Sequence, residues 1–121
     1  MTQGLGELEA AVMDVIWATD EPVRVREVLD GLAETRRPAY TTVMTVMDNL
    51  HRKGWLDRER IGRPFWYSAR RSREEAAADA LRAVLDAAED PIGVLLQFVR
   101  STSEAESKTL RRGLRDRNRR P

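Results

Sequence analysis

The most restrictive feature of this chain lies between residues 40 and 69. A run with helical spacing, in which Val43, Val46, Met47 and Leu50 share one side, ends at Gly54. Two short β-like runs follow at once, Trp55 to Ile61 and Phe65 to Ala69, joined by Gly62-Arg63-Pro64. Glycine stops a helix well because it enters the left-handed region without a Cβ clash. Gly and Pro between two β-like runs mark a tight hairpin turn. Proline has no N–H for a ladder, so Pro64 belongs in the loop or at an edge. A helix that passes directly into so small a hairpin cannot bury its own apolar stripe. The covering elements must come from the remainder of a 121-residue chain.

The upstream sequence offers two. Leu5, Leu8, Val12, Val15 and Ile16 recur at helical spacing, with Met13 and Trp17 beside them, which predicts a helix over about residues 7–18. Gly6 suits its N-cap and Glu9 its third position. Asp20-Glu21-Pro22 ends it. Val23 and Val25 alternate with Arg24 as a very short strand, and a second helix covers about residues 25–34 through Val25, Val28, Leu29 and Leu32. Thr35-Arg36-Arg37-Pro38 turns the chain into the third helix, Tyr40 to Lys53. Downstream, Ser72-x-x-Glu75 is a capping box opening a fourth helix with a seam of Ala77, Leu81, Val84 and Ala88. Asp90-Pro91 opens a fifth, with proline at the first helical position. Ser103-x-x-Glu106 caps a sixth, whose apolar anchors are Leu110 and Leu114 and whose Arg-rich end, from Arg111 to Pro121, is expected to fray. The order ααα-ββ-ααα predicts a mainly α protein with one small β-hairpin: a winged helix-turn-helix domain at residues 1–71 and a helical arm at 72–121.

Charge then separates the thirds of the chain. Residues 1–35 carry two Arg against eight Asp/Glu, a local net of −6, and residues 74–121 balance nine against nine. Residues 36–73 hold ten Lys/Arg against Asp48, Asp57 and Glu59, a local net of +7 hidden in the overall +1. Such segregation is the footprint of a nucleic-acid binder. The third helix supplies the reading surface. Opposite its apolar stripe it carries Thr41, Thr42, Thr45, Asn49 and Arg52, with Tyr40 at its start and Met44 at the flank. The major groove, about 12 Å wide, admits one such helix, and threonine offers a hydroxyl for base edges and a methyl for thymine. Arg52, Lys53, Arg58, Arg60 and Arg63 flank that face as phosphate grips. Trp55, Phe65, Trp66 and Tyr67 read as core or hairpin packing, and His51 as a surface or boundary residue. Absence of cysteine excludes disulfides, thiolate zinc sites and a cysteine nucleophile, and a single histidine excludes a histidine cluster. Catalytic residues, metal ligands and cofactors are therefore not expected.

Three segments together resemble the penicillinase-repressor family, the repressors of β-lactamase and methicillin-resistance genes and their relatives. These are Leu8-Glu9 with Val12-Met13-Asp14-Val15-Ile16-Trp17, Tyr40-Thr41-Thr42-Val43-Met44-Thr45-Val46-Met47-Asp48-Asn49-Leu50-His51-Arg52-Lys53-Gly54-Trp55-Leu56, and Gly62-Arg63-Pro64-Phe65-Trp66-Tyr67. The resemblance is strong across residues 5–70 and extends over nearly the whole chain. It implies a dimer held by the C-terminal helices, a palindromic duplex operator, and a membrane β-lactam sensor that triggers proteolysis in the C-terminal domain. Gln97-Phe98 falls where the family's asparagine–phenylalanine cleavage bond would align, with glutamine for asparagine; Asn49 stands where many relatives carry arginine. The cysteine cluster of the copper-responsive branch has no counterpart here.

The fifth helix points to a dimer by itself. Ile92, Val94, Leu95, Leu96, Phe98 and Val99 point nearly all round it, and so broad an apolar surface needs burial, against a second copy or within a compact monomeric three-helix lobe. With Leu81, Val84 and Leu85 these residues form the expected seam with a second copy. The longest apolar stretch, Ile92 to Val99, is too short to cross a bilayer, and the N-terminus lacks the pattern of a signal segment, so a cytoplasmic protein is expected. The leading expectation is a repressor. A winged-helix regulator released by a small effector, and an interaction module that uses the fold without DNA, are the competing classes. No nucleophile–base pair or paired carboxylates point to an enzyme.

Overall fold

The computed structural model describes residues 4–33 and 37–119. Glu34, which the sequence placed at the end of the second helix, and Thr35 and Arg36 of the expected turn lie outside the described residues, as do Arg120 and Pro121. The elements are α1 (Glu7–Trp17), α2 (Val25–Leu32), α3 (Tyr40–Arg52), β1 (Leu56–Arg60), β2 (Phe65–Ala69), α4 (Arg73–Ala87), α5 (Pro91–Ser101) and α6 (Glu104–Asn118). The chain divides into two compact units, residues 1–80 and residues 81–121.

The first unit holds the core. Val12, Met13 and Ile16 from α1, Val25, Val28 and Leu32 from α2, and Val43, Met47 and Leu50 from α3 are buried together. Leu56 of β1 and Tyr67 of β2 close the cluster against the hairpin. Each large side chain removed from water here contributes about 1.5–3 kcal/mol, and that burial fixes which face of α3 turns inward. Val46, expected in the inner stripe, is only half-buried. α1 starts as the sequence predicts: Glu9 Oε1 accepts the Gly6 N–H at 2.9 Å. Gly54 stops α3 with φ +88°, a conformation that side chains with a Cβ rarely adopt.

The hairpin is antiparallel, with Leu56 opposite Ala69, Arg58 opposite Tyr67 and Arg60 opposite Phe65. Trp55 and Ile61 fall outside the paired strand. The expected Val23–Val25 strand reduces to one bridged residue: Val23 exchanges backbone hydrogen bonds with Tyr67 at 2.8 and 2.7 Å. Val25 instead begins α2, where its buried side chain joins the core. β2 thus has a partner on both edges, which ties the hairpin to the α1–α2 connection. Trp17 adds a second tie, donating from Nε1 to the Arg71 carbonyl at 2.9 Å and packing edge-on against Trp55. Three helices, a turn and a hairpin packed on the third helix make this unit a winged helix.

The Ser72–Glu75 capping box forms in both directions, at 2.9 and 3.0 Å, and opens α4. In this helix Ala76 is buried and Ala77 only half-buried. In the second unit Asp90 caps α5 through Gly93 N–H at 3.1 Å, and Ser103 and Glu106 cap α6 reciprocally. The expected fraying from Arg111 is corrected: α6 stays helical through Asn118. Arg115 and Arg117 in its last turn sit favourably at the negative end of the helix dipole. No described residue from 81 to 119 is buried. Among the described residues, no helix is long and apolar enough to cross a membrane.

Candidate nucleic-acid interface

The apolar stripe of α3 is locked inward, so the opposite side is presented outward. Tyr40, Thr41, Thr42, Met44 and Thr45 are exposed, and Asn49 is half-buried. Among the described residues the three threonine hydroxyls engage no other side chain, which leaves both donor and acceptor capacity open. The hairpin lies beside the start of this helix. Between them is a cleft of about 390 Å³ lined by Arg24, Arg26, Tyr40, Met44, Arg60 and Arg63, with Phe65 and Tyr67 in its wall. Four guanidinium groups therefore border one recess next to the threonine face.

Aromatic rings hold several of these cations. Arg58 and Arg60 lie over the Phe65 ring at 4.1 and 4.4 Å from its centroid. Arg26 lies over Tyr40 at 5.7 Å, and Arg24 over Trp66 at 5.2 Å. Such stacking restrains a long side chain while leaving its N–H groups able to donate. Tyr40 and Phe65 thus act partly as supports for charge, whereas Tyr67 belongs to the core. Arg63, at the hairpin tip, is exposed and has no ion pair among the described residues.

The remaining expected phosphate grips are already partnered. Asp48 accepts from Arg52 Nη2 at 2.7 Å and from Arg58 Nη1 at 2.9 Å, so one carboxylate joins α3 to β1. Asn49 Oδ1 also accepts from Arg52, at 2.9 Å. The Arg58 hydrogen bond, then that of Arg52, holds the Asp48 carboxyl below the usual carboxylate range. Lys53 does not flank the threonine face freely either: its Nζ reaches Glu9 of α1 at 2.8 Å. That hydrogen bond and the Gly6 N–H hold the Glu9 carboxyl low. The charge pattern alone leaves Arg52, Lys53 and Arg58 as free cations, and the fold gives each an acidic partner. The i,i+4 spacing of Asp48 and Arg52 was the available signal for one pair. The contributions of Arg24 and Arg26 to the cleft had no local signal, because α2 and the hairpin meet only in the fold. His51 is half-buried, and its Nδ1 has no hydrogen-bond partner among the described residues.

The expected seam residues fall on α4 and α5. Leu81 and Val84 are exposed, and Leu85 is half-buried. Ile92 is 73% exposed, and Leu95, Leu96, Phe98 and Val99 are each near one-half. Gln97 and Phe98 are exposed positions in the middle of α5. About half or more of each of these seam side chains, Leu85 excepted, stays open within the second unit.

Comparison with known proteins places these features in a family. The sequence profile of the penicillinase repressor family matches residues 5–116. The chain is 39% identical over 113 residues to the transcriptional regulator BlaI of Mycobacterium tuberculosis (strain CDC 1551 / Oshkosh), spanning 91% of this chain and 82% of the relative. The solution structure of the DNA-binding domain of the repressor BlaI is similar with a TM-score of 0.53 and 27% identity, over 62% of this chain and 90% of that one. Monomeric Bacillus licheniformis BlaI, solved in complex with the blaP half-operator, is similar with a TM-score of 0.50, the same 27% identity and the same coverage.

Proposed function

Because this chain belongs to the penicillinase repressor family, we propose that it is a transcriptional repressor that binds an inverted-repeat DNA operator as a homodimer. The observation that carries the reading is the exposed Thr41, Thr42 and Thr45 face of α3 beside the arginine-bordered cleft of the hairpin. A relative similar in fold and sequence was solved on a half-operator, which supports the same use of that surface here. In this reading α3 enters the major groove. Thr42 and Thr45 meet base edges, with Tyr40, Thr41, Met44 and Asn49 around them. Arg60 and Arg63 hold phosphates and set the register, and Arg52, Arg58 and Lys53 contribute positive field while tethered to carboxylates.

The second copy is supplied by the apolar surface of Leu81, Val84, Leu85, Ile92, Leu95, Leu96, Phe98 and Val99. Two heads so joined gain affinity because the second binds at high effective concentration. Cutting Gln97-Phe98 would divide α5 and release weakly binding heads. A membrane β-lactam sensor would trigger that cut, and β-lactamase or other antibiotic-response genes would be derepressed. Phe98 is itself a seam residue, so in the dimer a protease would have to part the seam and unwind the helix locally before reaching the bond.

Footprinting on the region upstream of the protein's own gene tests the first part, with an inverted repeat as the expected pattern. Half-sites should be centred about one helical turn, or a multiple of it, apart. Leu96→Asp places a charge in the seam and should yield monomers by sedimentation, with operator binding reduced to that of a single head. A variant that stays dimeric, or that binds the full operator as tightly as the unaltered chain, would remove the arm from the switch. Release of the intact protein from DNA by a small molecule alone would favour an effector-controlled regulator.

A further inference from the structure

α6 carries a surface that the repressor reading leaves unused. Lys108, Arg111, Arg112, Arg115 and Arg119 recur at spacings of three and four. On a helix of 3.6 residues per turn they fall within about 100° of arc. All five are exposed, and none is ion-paired among the described residues. They lie away from the apolar groove between α5 and α6, which is lined by Phe98, Thr102, Ala105, Thr109 and Leu110.

The helix itself gains little from this arrangement. Basic residues near a helix C-terminus complement the dipole, but that benefit fades within the last turn and does not reach Lys108, Arg111 or Arg112. Lys108–Arg112, Arg111–Arg115 and Arg115–Arg119 are like-charge i,i+4 pairs, and such pairs disfavour a helix. An ordered helix with a self-repelling, unpaired stripe is suited to an extended polyanion.

We propose that the α6 stripe is a second, sequence-independent contact surface for the phosphate backbone of duplex DNA. From Lys108 to Arg119 it runs about 16 Å along the helix axis. That length matches about five phosphates of one strand at 3.4 Å per phosphate. A membrane surface fits less well. Interfacial helices set Trp, Phe or several Leu opposite their cations, whereas α6 offers only Leu110 and Leu114 as large apolar residues. The inference rests on the DNA-binding reading above, and its test separates the two.

The test is the salt dependence of binding to an operator-free duplex. It uses the full chain, a variant with Arg111→Gln, Arg112→Gln, Arg115→Gln and Arg119→Gln, and a control with the same four changed to Lys. Each phosphate contact contributes about 0.9 to the slope of log affinity against log salt. The glutamine variant should be shallower by up to about 3.6 for each protomer whose α6 meets the duplex, which per protomer removes about a 150-fold share of the decline in affinity between 50 and 200 mM salt. The lysine variant should keep the original slope. An unchanged slope in the glutamine variant overturns the proposal. So does a lysine variant that loses slope as the glutamine variant does, since charge is then not the agent. Single-stranded RNA, or vesicles of phosphatidylserine and phosphatidylcholine, replace DNA as the partner if their binding falls in the glutamine variant while duplex binding does not. Absence of an operator footprint with a normal slope change would overturn the repressor reading and leave the stripe standing.

Discussion

Thr45→Ala and Arg63→Ala should both weaken operator binding, and they should do so in distinguishable ways. Thr45 is exposed on α3 and has no side-chain partner among the described residues, so its truncation breaks nothing in the fold. Alanine is also the better helix former by up to about 0.7 kcal/mol, so the unfolding temperature should hold or rise slightly. If the hydroxyl and methyl meet a base pair, the loss is about 1–3 kcal/mol on the preferred operator, a factor of about 5–150, and little on a scrambled duplex. Arg63 is likewise exposed and unpaired at the hairpin tip. Its removal should weaken both duplexes alike and make the log affinity–log salt slope shallower by about 0.9 per protomer, about 1.8 for the homodimer. Over 50 to 200 mM salt, that removes about a 12-fold share of the decline in the homodimer's affinity. Fluorescence-anisotropy titrations of both variants on operator and scrambled duplexes, at several salt concentrations, give all four quantities. Equal losses for Thr45→Ala on the two duplexes would refute base reading by this face. An unchanged slope for Arg63→Ala would refute phosphate contact by the hairpin tip.

Asp48→Asn should release Arg52 and Arg58 from their shared carboxylate. Affinity for non-operator duplex should then rise several-fold and the salt slope steepen by about 1–2 per protomer, read in the same titrations; weaker binding would mean that Asp48 is needed to aim the two guanidiniums. Gly54→Ala should destabilise the winged-helix unit by about 1–2 kcal/mol, because φ +88° is strained for any residue with a Cβ; thermal unfolding followed by circular dichroism checks it, and an unchanged midpoint would refute the left-handed stop. Glu9, held low by Lys53 and the Gly6 N–H, and Asp48, held low by Arg58 and Arg52, contribute stability that is complete above the usual carboxylate range and is lost as pH falls through their depressed values. Unfolding midpoints should therefore drop at about pH 4 and below, and Glu9→Gln should flatten that part of the curve; an equally steep curve would remove Glu9 from the account.

Local chemistry in the chain carried most of the architecture. Capping residues opened the fourth and sixth helices where Ser72–Glu75 and Ser103–Glu106 stand, since a capping box needs only residues three apart. Gly54 and Pro64 marked the helix stop and the hairpin loop because backbone restrictions act on single residues. The 3.6-residue period of Val43, Met47 and Leu50 chose the inner face of α3 and so, by exclusion, the threonine face outside. Boundaries were less legible: α6 continued seven residues beyond Arg111, because an arginine-rich turn at a helix end resembles a loop in composition yet suits the dipole.

Only the tertiary structure decided which charges are free. Glu9 and Lys53 are 44 residues apart in sequence, and packing α1 on α3 brings them to 2.8 Å. Asp48 reaches Arg58 because the hairpin folds back against the helix it follows. Arg24 and Arg26 border the same cleft as Arg60 and Arg63 because Val23 bridges Tyr67 and draws the start of α2 onto β2. A sequence records charge as a property of each residue. Whether a cation remains available to a phosphate depends on the distance to its nearest carboxylate, which long-range packing sets.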